Sequence, residues 1–195
     1  HKWKEFFKPF LLDDILIKPT WESIPENMNY RISIDIDPGT SFGTGQHETT
    51  QLCIRNIEKH MKLGDQILDL GCGSGILSII CLKLGADHVM GTDIDPICME
   101  ACRENMRRNQ IEQTKYHFYC GDLISDPKIK DMISVKEYDI VVANILADII
   151  IPMAPVVYPY LKKGGYFITS GIIDFKENPV KEALIEAGFE IIETN

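Results

Sequence analysis

The sequence predicts an α/β domain: a doubly wound, mostly parallel sheet with helices on both faces. Three observations carry this. Short apolar runs ending in Gly, Asp or Asn alternate with longer segments of helical spacing. Residues 66–75 read Gln-Ile-Leu-Asp-Leu-Gly-Cys-Gly-Ser-Gly, an apolar run entering a glycine turn that leads into an apolar segment from Ile76 to Leu84. The 195 residues, 45% apolar and 25% charged, suit one domain with a full core.

In chain order, residues 1–30 carry Trp3, Phe6, Phe7, Phe10 and Trp21 between Pro9, Pro19 and Pro25. They are expected to pack aromatics on the main domain, residues 31–195, with a short strand within Leu12 to Lys18. Arg31 to Asp37 alternates polar and apolar residues, as a half-buried strand does, and Pro38-Gly39 ends it. A loop of small residues, Thr40 to His47, precedes a helix from Glu48 to Met61 with Leu52, Cys53, Ile57 and Met61 on one side. Ile67, Leu68 and Leu70 then form a strand buried on both faces, followed by Gly71, Gly73, Gly75 and the helix Ile76 to Leu84.

A second strand, His88 to Thr92, finishes at Asp93, and Asp95-Pro96 caps and opens a helix reaching about Asn109. Tyr116 to Cys120 is the third strand, ending at Gly121-Asp122. Tyr138 to Ala143 is the fourth, ending at Asn144. The next helix contains Pro152 and Pro155, where a kink or break is expected. Gly164-Gly165 reads as a turn before a fifth strand, Tyr166 to Ser170. A helix near Val180 to Ala187 and a sixth strand from Phe189 to about Glu193 complete the pattern.

Bulk properties narrow the function. The net charge of −9 argues against non-specific nucleic-acid binding and suits a basic protein partner, although ordinary acidic proteins share it. No apolar run is long enough to span a membrane, and no signal peptide opens the chain. Cys53, Cys72, Cys81, Cys98, Cys102 and Cys120 form no Cys-x-x-Cys pair, so no metal site is expected and all six read as reduced cytosolic thiols. The chain opens on His1 and not on Met, as a domain cut from a longer protein would. Oligomeric state leaves no signature.

Ligands of such sheets bind outside the carboxyl ends of the strands. The residues there are Gly71 to Gly75, Asp93, Asp122, Asn144 and Ser170-Gly171. A glycine turn brings bare backbone N–H groups up to a ligand, or simply makes a tight connection. A dinucleotide fold wants Gly-x-Gly-x-x-Gly, which would place its third glycine where Ile76 stands. Gly-x-Gly-x-Gly preceded by Asp69 resembles instead the first motif of the Rossmann-like class I S-adenosylmethionine-dependent methyltransferases. Asp93 would accept hydrogen bonds from both ribose hydroxyls. Asp122 stands where such enzymes often place an acid near the adenine amino group, and Gly-Asp equally makes an ordinary turn. Asn144 fits two roles: a helix N-cap, or the amide with which amine-directed methyltransferases hold the target nitrogen.

Several stretches resemble the ribosomal protein L11 methyltransferase (PrmA) family, from about Trp3 to the end. They are residues 37–50 (Asp-Pro-Gly-Thr-Ser-Phe-Gly-Thr-Gly-Gln-His-Glu-Thr-Thr), 69–77, 83–86, 91–96, 142–147 and 170–172. The resemblance implies a bacterial cytosolic enzyme that uses S-adenosylmethionine to methylate amino groups, the N-terminal amine and lysines, of a basic large-subunit ribosomal protein. It places cofactor contacts on Thr50, Gly71, Asp93 and Asn144, with Gly73, Gly75 and Asp122 beside them, and makes Asn144 the catalytic residue. The loop carrying Phe42, Gly43, Thr44, Gly45, His47 and Thr49 would cover the cofactor; a surface turn, with His47 as a structural residue, is the plainer alternative.

Two departures are expected from the family pattern. Nothing corresponds to the family's N-terminal recognition domain. Its last antiparallel strand, which lies between the fifth and sixth, is missing, so the sixth strand must slip inward, pair with another chain or fray. Other functions compatible with the motifs are a class I methyltransferase of another protein or a small molecule, and a cofactor-binding fragment without turnover. A nicotinamide oxidoreductase is disfavoured by Ile76.

Overall fold

The computed structural model describes residues 5, 7–37, 48–133, 137–170 and 174–195. Trp3, Phe6, the expected strand end at Pro38-Gly39 and the loop from Thr40 to His47 lie outside the described residues.

The N-terminal part forms a small sheet. Strand β1 (Phe10–Leu12) turns through Asp13-Asp14 into antiparallel β2 (Ile15–Lys18), and β3 (Ile32–Asp35) lies parallel to β2. Asp13 takes φ +52° in that turn, a conformation that Asp tolerates better than most residues. The single strand expected within Leu12 to Lys18 is therefore the second arm of a hairpin. Because β3 is bonded to β2, this sheet joins the two sides of the division expected at residue 30. Phe7 is buried, with Trp21 edge-on to it at 6.4 Å.

The main sheet has five strands: β4 (Gln66–Leu70), β5 (His88–Asp93), β6 (Tyr116–Cys120), β7 (Tyr138–Ala143) and β8 (Leu161–Thr169). Their order is β6-β5-β4-β7-β8 and all are parallel. The helices are α1 (Glu48–His60), α2 (Ile76–Lys83), α3 (Pro96–Arg108), α4 (Pro127–Met132), α5 (Ala147–Val157) and α6 (Glu177–Ala187). Alternate residues of each strand feed opposite cores, as the pleat requires. Ile67, Ile140 and Val142 pack with α1, α2, α3 and the small sheet, through Ile54, Ile79, Met106 and Ile17. Leu68, Leu70 and Val141 pack with α4, α5 and α6, through Ile129, Ile150 and Leu184. The doubly wound architecture is thus the one expected.

Three elements differ from expectation. Helix α5 runs unbroken through Pro152 and Pro155. Both prolines are exposed, as is Asp148, whose carbonyl loses its partner to Pro152, so water can satisfy what proline removes. The turn expected at Gly164-Gly165 lies within β8: Tyr138 opposes Leu161 and Ile140 opposes Tyr166, so residues 162–165 bulge opposite Asp139 alone, with Gly164 at φ +81°. The sixth strand does not form, because Phe189 to Glu193 joins no ladder. Instead Phe189 packs edge-on to Tyr158 at 5.2 Å. A trough of about 1740 Å³ is lined by both β8 (Tyr166, Phe167) and this tail (Ile191, Ile192). Helix α4, unforeseen, starts like α3: Asp126 caps it and Pro127 follows. All six cysteines are free, five of them buried.

Candidate functional site

The sheet reverses direction between β4 and β7, and the strand register lines up the candidate residues along its carboxyl edge. Leu70 faces Thr92 on one side and Ala143 on the other, Ala143 faces Thr169, and Asp93 faces Cys120. The residues that follow these pairs therefore stand in a row: Ser170, Asn144, Gly71, Asp93 and Gly121-Asp122. Crevices at such a reversal are the usual ligand sites of open α/β sheets.

The glycine turn needs its glycines. Gly71, Gly73 and Gly75 have φ of +70°, +54° and +84°, where a side chain costs about 1–2 kcal/mol. A Cβ on Gly71 would also meet Ile145 Cγ2 at 2.6 Å. The turn is not an array of bare donors, however. Gly71 and Cys72 N–H donate to the Thr92 carbonyl at 2.8 and 3.0 Å, and Gly75 N–H to the Cys72 carbonyl at 2.8 Å. Gly73 N–H donates to Asp93 Oδ2 at 2.9 Å. What the turn offers is a surface without side chains, which suits a ligand lacking a pyrophosphate.

Asp93 accepts a second bond at Oδ1, from Asp95 N–H at 3.0 Å. An ionised carboxylate has about four acceptor positions, so two remain for a diol. Asp95 caps α3 through the Ile97 N–H, as its position before Pro96 implies. Asp122 is engaged in its own turn, accepting from Ile124 N–H at 3.0 Å and Ser125 Oγ at 3.0 Å. This geometry is that of an ordinary Gly-Asp turn, and acceptor positions of the Asp122 carboxylate remain beyond the two it uses.

Asn144 is not a cap: α5 begins at Ala147 with Leu146 at its N-cap and no side-chain cap bond. Its amide is gripped at both ends. Nδ2 donates to Thr50 Oγ1 at 2.9 Å, and Ser170 Oγ lies 2.9 Å from Oδ1. Thr50 is buried in the first turn of α1, and the neighbouring Thr49 carbonyl is 2.9 Å from the same Ser170 hydroxyl. Cys53 Sγ is 3.1 Å from it. The structure thus brings together Thr49, Thr50, Gly71, Gly73, Gly75, Asp93 and Asn144, with Asp122 at the row's far end. Phe42, Gly43, Thr44, Gly45 and His47 lie outside the described residues. Reading the sequence missed the link between Ser170 and Asn144; only the order of β7 and β8 in the sheet reveals it.

Titratable groups here are tuned away from nucleophilic work. Burial pushes the Cys53 thiol up to about 11, only partly offset by Ser170. The hydrogen bond shared with Cys102, then burial, pushes Cys72 up as well. Asp69 is fully buried on β4, with Oδ2 accepting from Ser78 Oγ at 2.6 Å and Oδ1 without a hydrogen-bond partner among the described residues. Burial raises its pKa from 3.8 to about 6, Ser78 opposing the rise and the Asp93 charge adding to it. A carboxyl with a raised folded-state pKa holds its proton more tightly folded than unfolded. Stability must then fall as pH rises from about 4 to 6. Asp69→Asn should be more stable than the parent at pH 8, by on the order of 2 kcal/mol, with the difference vanishing near pH 4. Urea unfolding across this range measures it, and a gap that persists at pH 4 contradicts the assignment.

Comparison with known proteins agrees with this geometry. The family described as ribosomal protein L11 methyltransferase (PrmA) matches residues 1–195. A ribosomal protein L11 methyltransferase of Agathobacter rectalis is 56% identical over 198 residues, covering 100% of this chain and 61% of that protein. One from Lachnoclostridium phytofermentans is 50% identical over 207 residues, covering 99% and 62%. The chain therefore spans about three-fifths of the length of these relatives. A crystal structure of a ribosomal protein L11 methylase from Lactobacillus delbrueckii subsp. bulgaricus superposes with a TM-score of 0.81 at 33% identity, covering 97% of this chain and 94% of that one.

Proposed function

The chain belongs to the ribosomal protein L11 methyltransferase (PrmA) family, and on that premise we propose that it methylates amino groups, an N-terminal amine and lysines, of a basic large-subunit ribosomal protein in the bacterial cytosol. The family's cofactor is S-adenosylmethionine. The observation that carries the reading is the Asn144 amide, gripped by two hydroxyls at the sheet reversal beside the glycine turn.

When bound, the cofactor supplies a methyl group on a cationic sulfur, already activated for transfer. The residues present fit it. Asp93 has acceptor positions for the two ribose hydroxyls, and Gly71 to Gly75 let a ligand approach the backbone without needing its N–H groups. Thr50 holds the nitrogen end of the Asn144 amide. The remaining lone pair of Asn144 Oδ1 accepts an N–H of the target amine and so aims the nitrogen's own lone pair. A lysine with its ordinary pKa near ~10.4 is protonated at neutral pH. Among the described residues the groups that bond the Asn144 amide, Thr50 and Ser170, are neutral hydroxyls and not bases. In this reading the ammonium proton leaves to water before the amine is seated, and orientation supplies the acceleration.

The test is incubation of the intact enzyme with methyl-labelled S-adenosylmethionine and a ribosomal-protein mixture. Label on amines of one large-subunit protein is expected. Label confined to a small molecule or to unrelated proteins contradicts the proposal.

A further inference from the structure

We propose that Ser170 is a positioning residue for methyl transfer: its hydroxyl holds the oxygen end of the Asn144 amide while Thr50 holds the nitrogen end. The proposal rests on the role given to Asn144 above and deepens it.

Counting protons on the hydroxyl makes the argument. Ser170 has one proton and two acceptors within reach, the Thr49 carbonyl and Asn144 Oδ1, both at 2.9 Å. Thr49 lies in the first turn of α1, where its carbonyl already receives the helix's own bond four residues on. Among the described residues Asn144 Oδ1 has no other hydrogen-bond donor than Ser170. The proton therefore has the greater gain at Asn144. Either Cys53 Sγ or Ser170 Oγ, 3.1 Å apart, can be the donor; with the Ser170 proton on Asn144, the Cys53 S–H is the one left to fill a lone pair of that oxygen. The donors then run in one direction: Cys53 to Ser170, Ser170 to Asn144, Asn144 to Thr50.

This chain ties three elements to one amide. Ser170 follows β8, Asn144 follows β7, and Thr50 and Cys53 belong to α1. Ser170 itself is 8% exposed, so water cannot readily replace its hydroxyl. Without that hydroxyl the amide is held at one end and turns about its last torsion, a broad and soft one for Asn. One lone pair of Oδ1 remains free in the gripped state, and its direction is what the target nitrogen must meet. Small errors in such placement cost rate out of proportion to their size.

Two readouts on the intact enzyme test this. In nitrogen-15 spectra the side-chain amide protons of Asn144 should exchange slowly with solvent in the parent, at least tenfold faster in Ser170→Ala, and slowly again in Ser170→Thr, which keeps the hydroxyl. In steady-state assays Ser170→Ala should lower kcat about tenfold or more with cofactor affinity within twofold. It should add no loss to Asn144→Ala. Unchanged amide exchange in a folded Ser170→Ala overturns the proposal, as does a parallel loss of kcat and cofactor affinity. If the parent enzyme transfers no methyl group, the proposed function fails while the exchange measurement still decides the role of Ser170.

Discussion

Replacing Asn144 with alanine is expected to lower turnover by about 100-fold or more while cofactor affinity changes by less than about threefold. The asymmetry follows from where the side chain is held. Both ends of its amide bond to protein hydroxyls, so only one lone pair and one N–H remain for ligands. On the proposed function those meet cofactor and target, and an interaction that orients the attacking nitrogen is lost mainly from kcat. Truncation also frees Ser170 to donate to Thr49, so the Ser170 hydroxyl stays satisfied, and Thr50 Oγ1 alone loses a donor. A comparable loss of affinity and turnover would make Asn144 a cofactor ligand and nothing more. Steady-state kinetics with calorimetric titration separate the two.

The second large effect is on binding. Asp93→Ala should weaken S-adenosylhomocysteine by about 10- to 100-fold, since a hydrogen bond to a charged group contributes about 1.5–3 kcal/mol. The carboxylate also ties Gly73 N–H to the end of β5, and alanine releases that glycine as it removes the ribose acceptor. Asp93→Asn keeps an oxygen for the glycine and loses the charge, so it should fall between parent and alanine. An alanine variant that binds as the parent does would leave the ribose to some other residue.

How much of this was legible depends on whether the signal was local. The bounds of β6 and β7 coincide with the runs Tyr116 to Cys120 and Tyr138 to Ala143: β7, inside the sheet, is buried and apolar from Ile140 to Ala143, while β6, at its edge, buries Tyr116 and Phe118 and exposes His117 between them. The glycines and Asp93 were legible for the same reason: backbone conformation and position at a strand's end are written into the residue itself. Pro152 and Pro155 misled, because their effect depends on which face of α5 meets water, and that face is set by packing. The sixth strand failed because a strand exists only through its neighbour, which Phe189 to Glu193 does not have. Gly164-Gly165 announced an irregularity, but the turn expected before the strand is a bulge inside it, and the two look alike in sequence. The bond between Ser170 and Asn144 spans 26 residues and arises from strand order, which no local pattern records.

On the proposed function the turn from Gly71 to Gly75, with Asp93, holds S-adenosylmethionine and not a dinucleotide. Titrating S-adenosylhomocysteine and, separately, NAD into the protein in a calorimeter distinguishes the two. Saturable binding of S-adenosylhomocysteine, weakened by Asp93→Ala, and no saturable heat with NAD are expected. Saturable binding of NAD with none for S-adenosylhomocysteine would contradict this assignment.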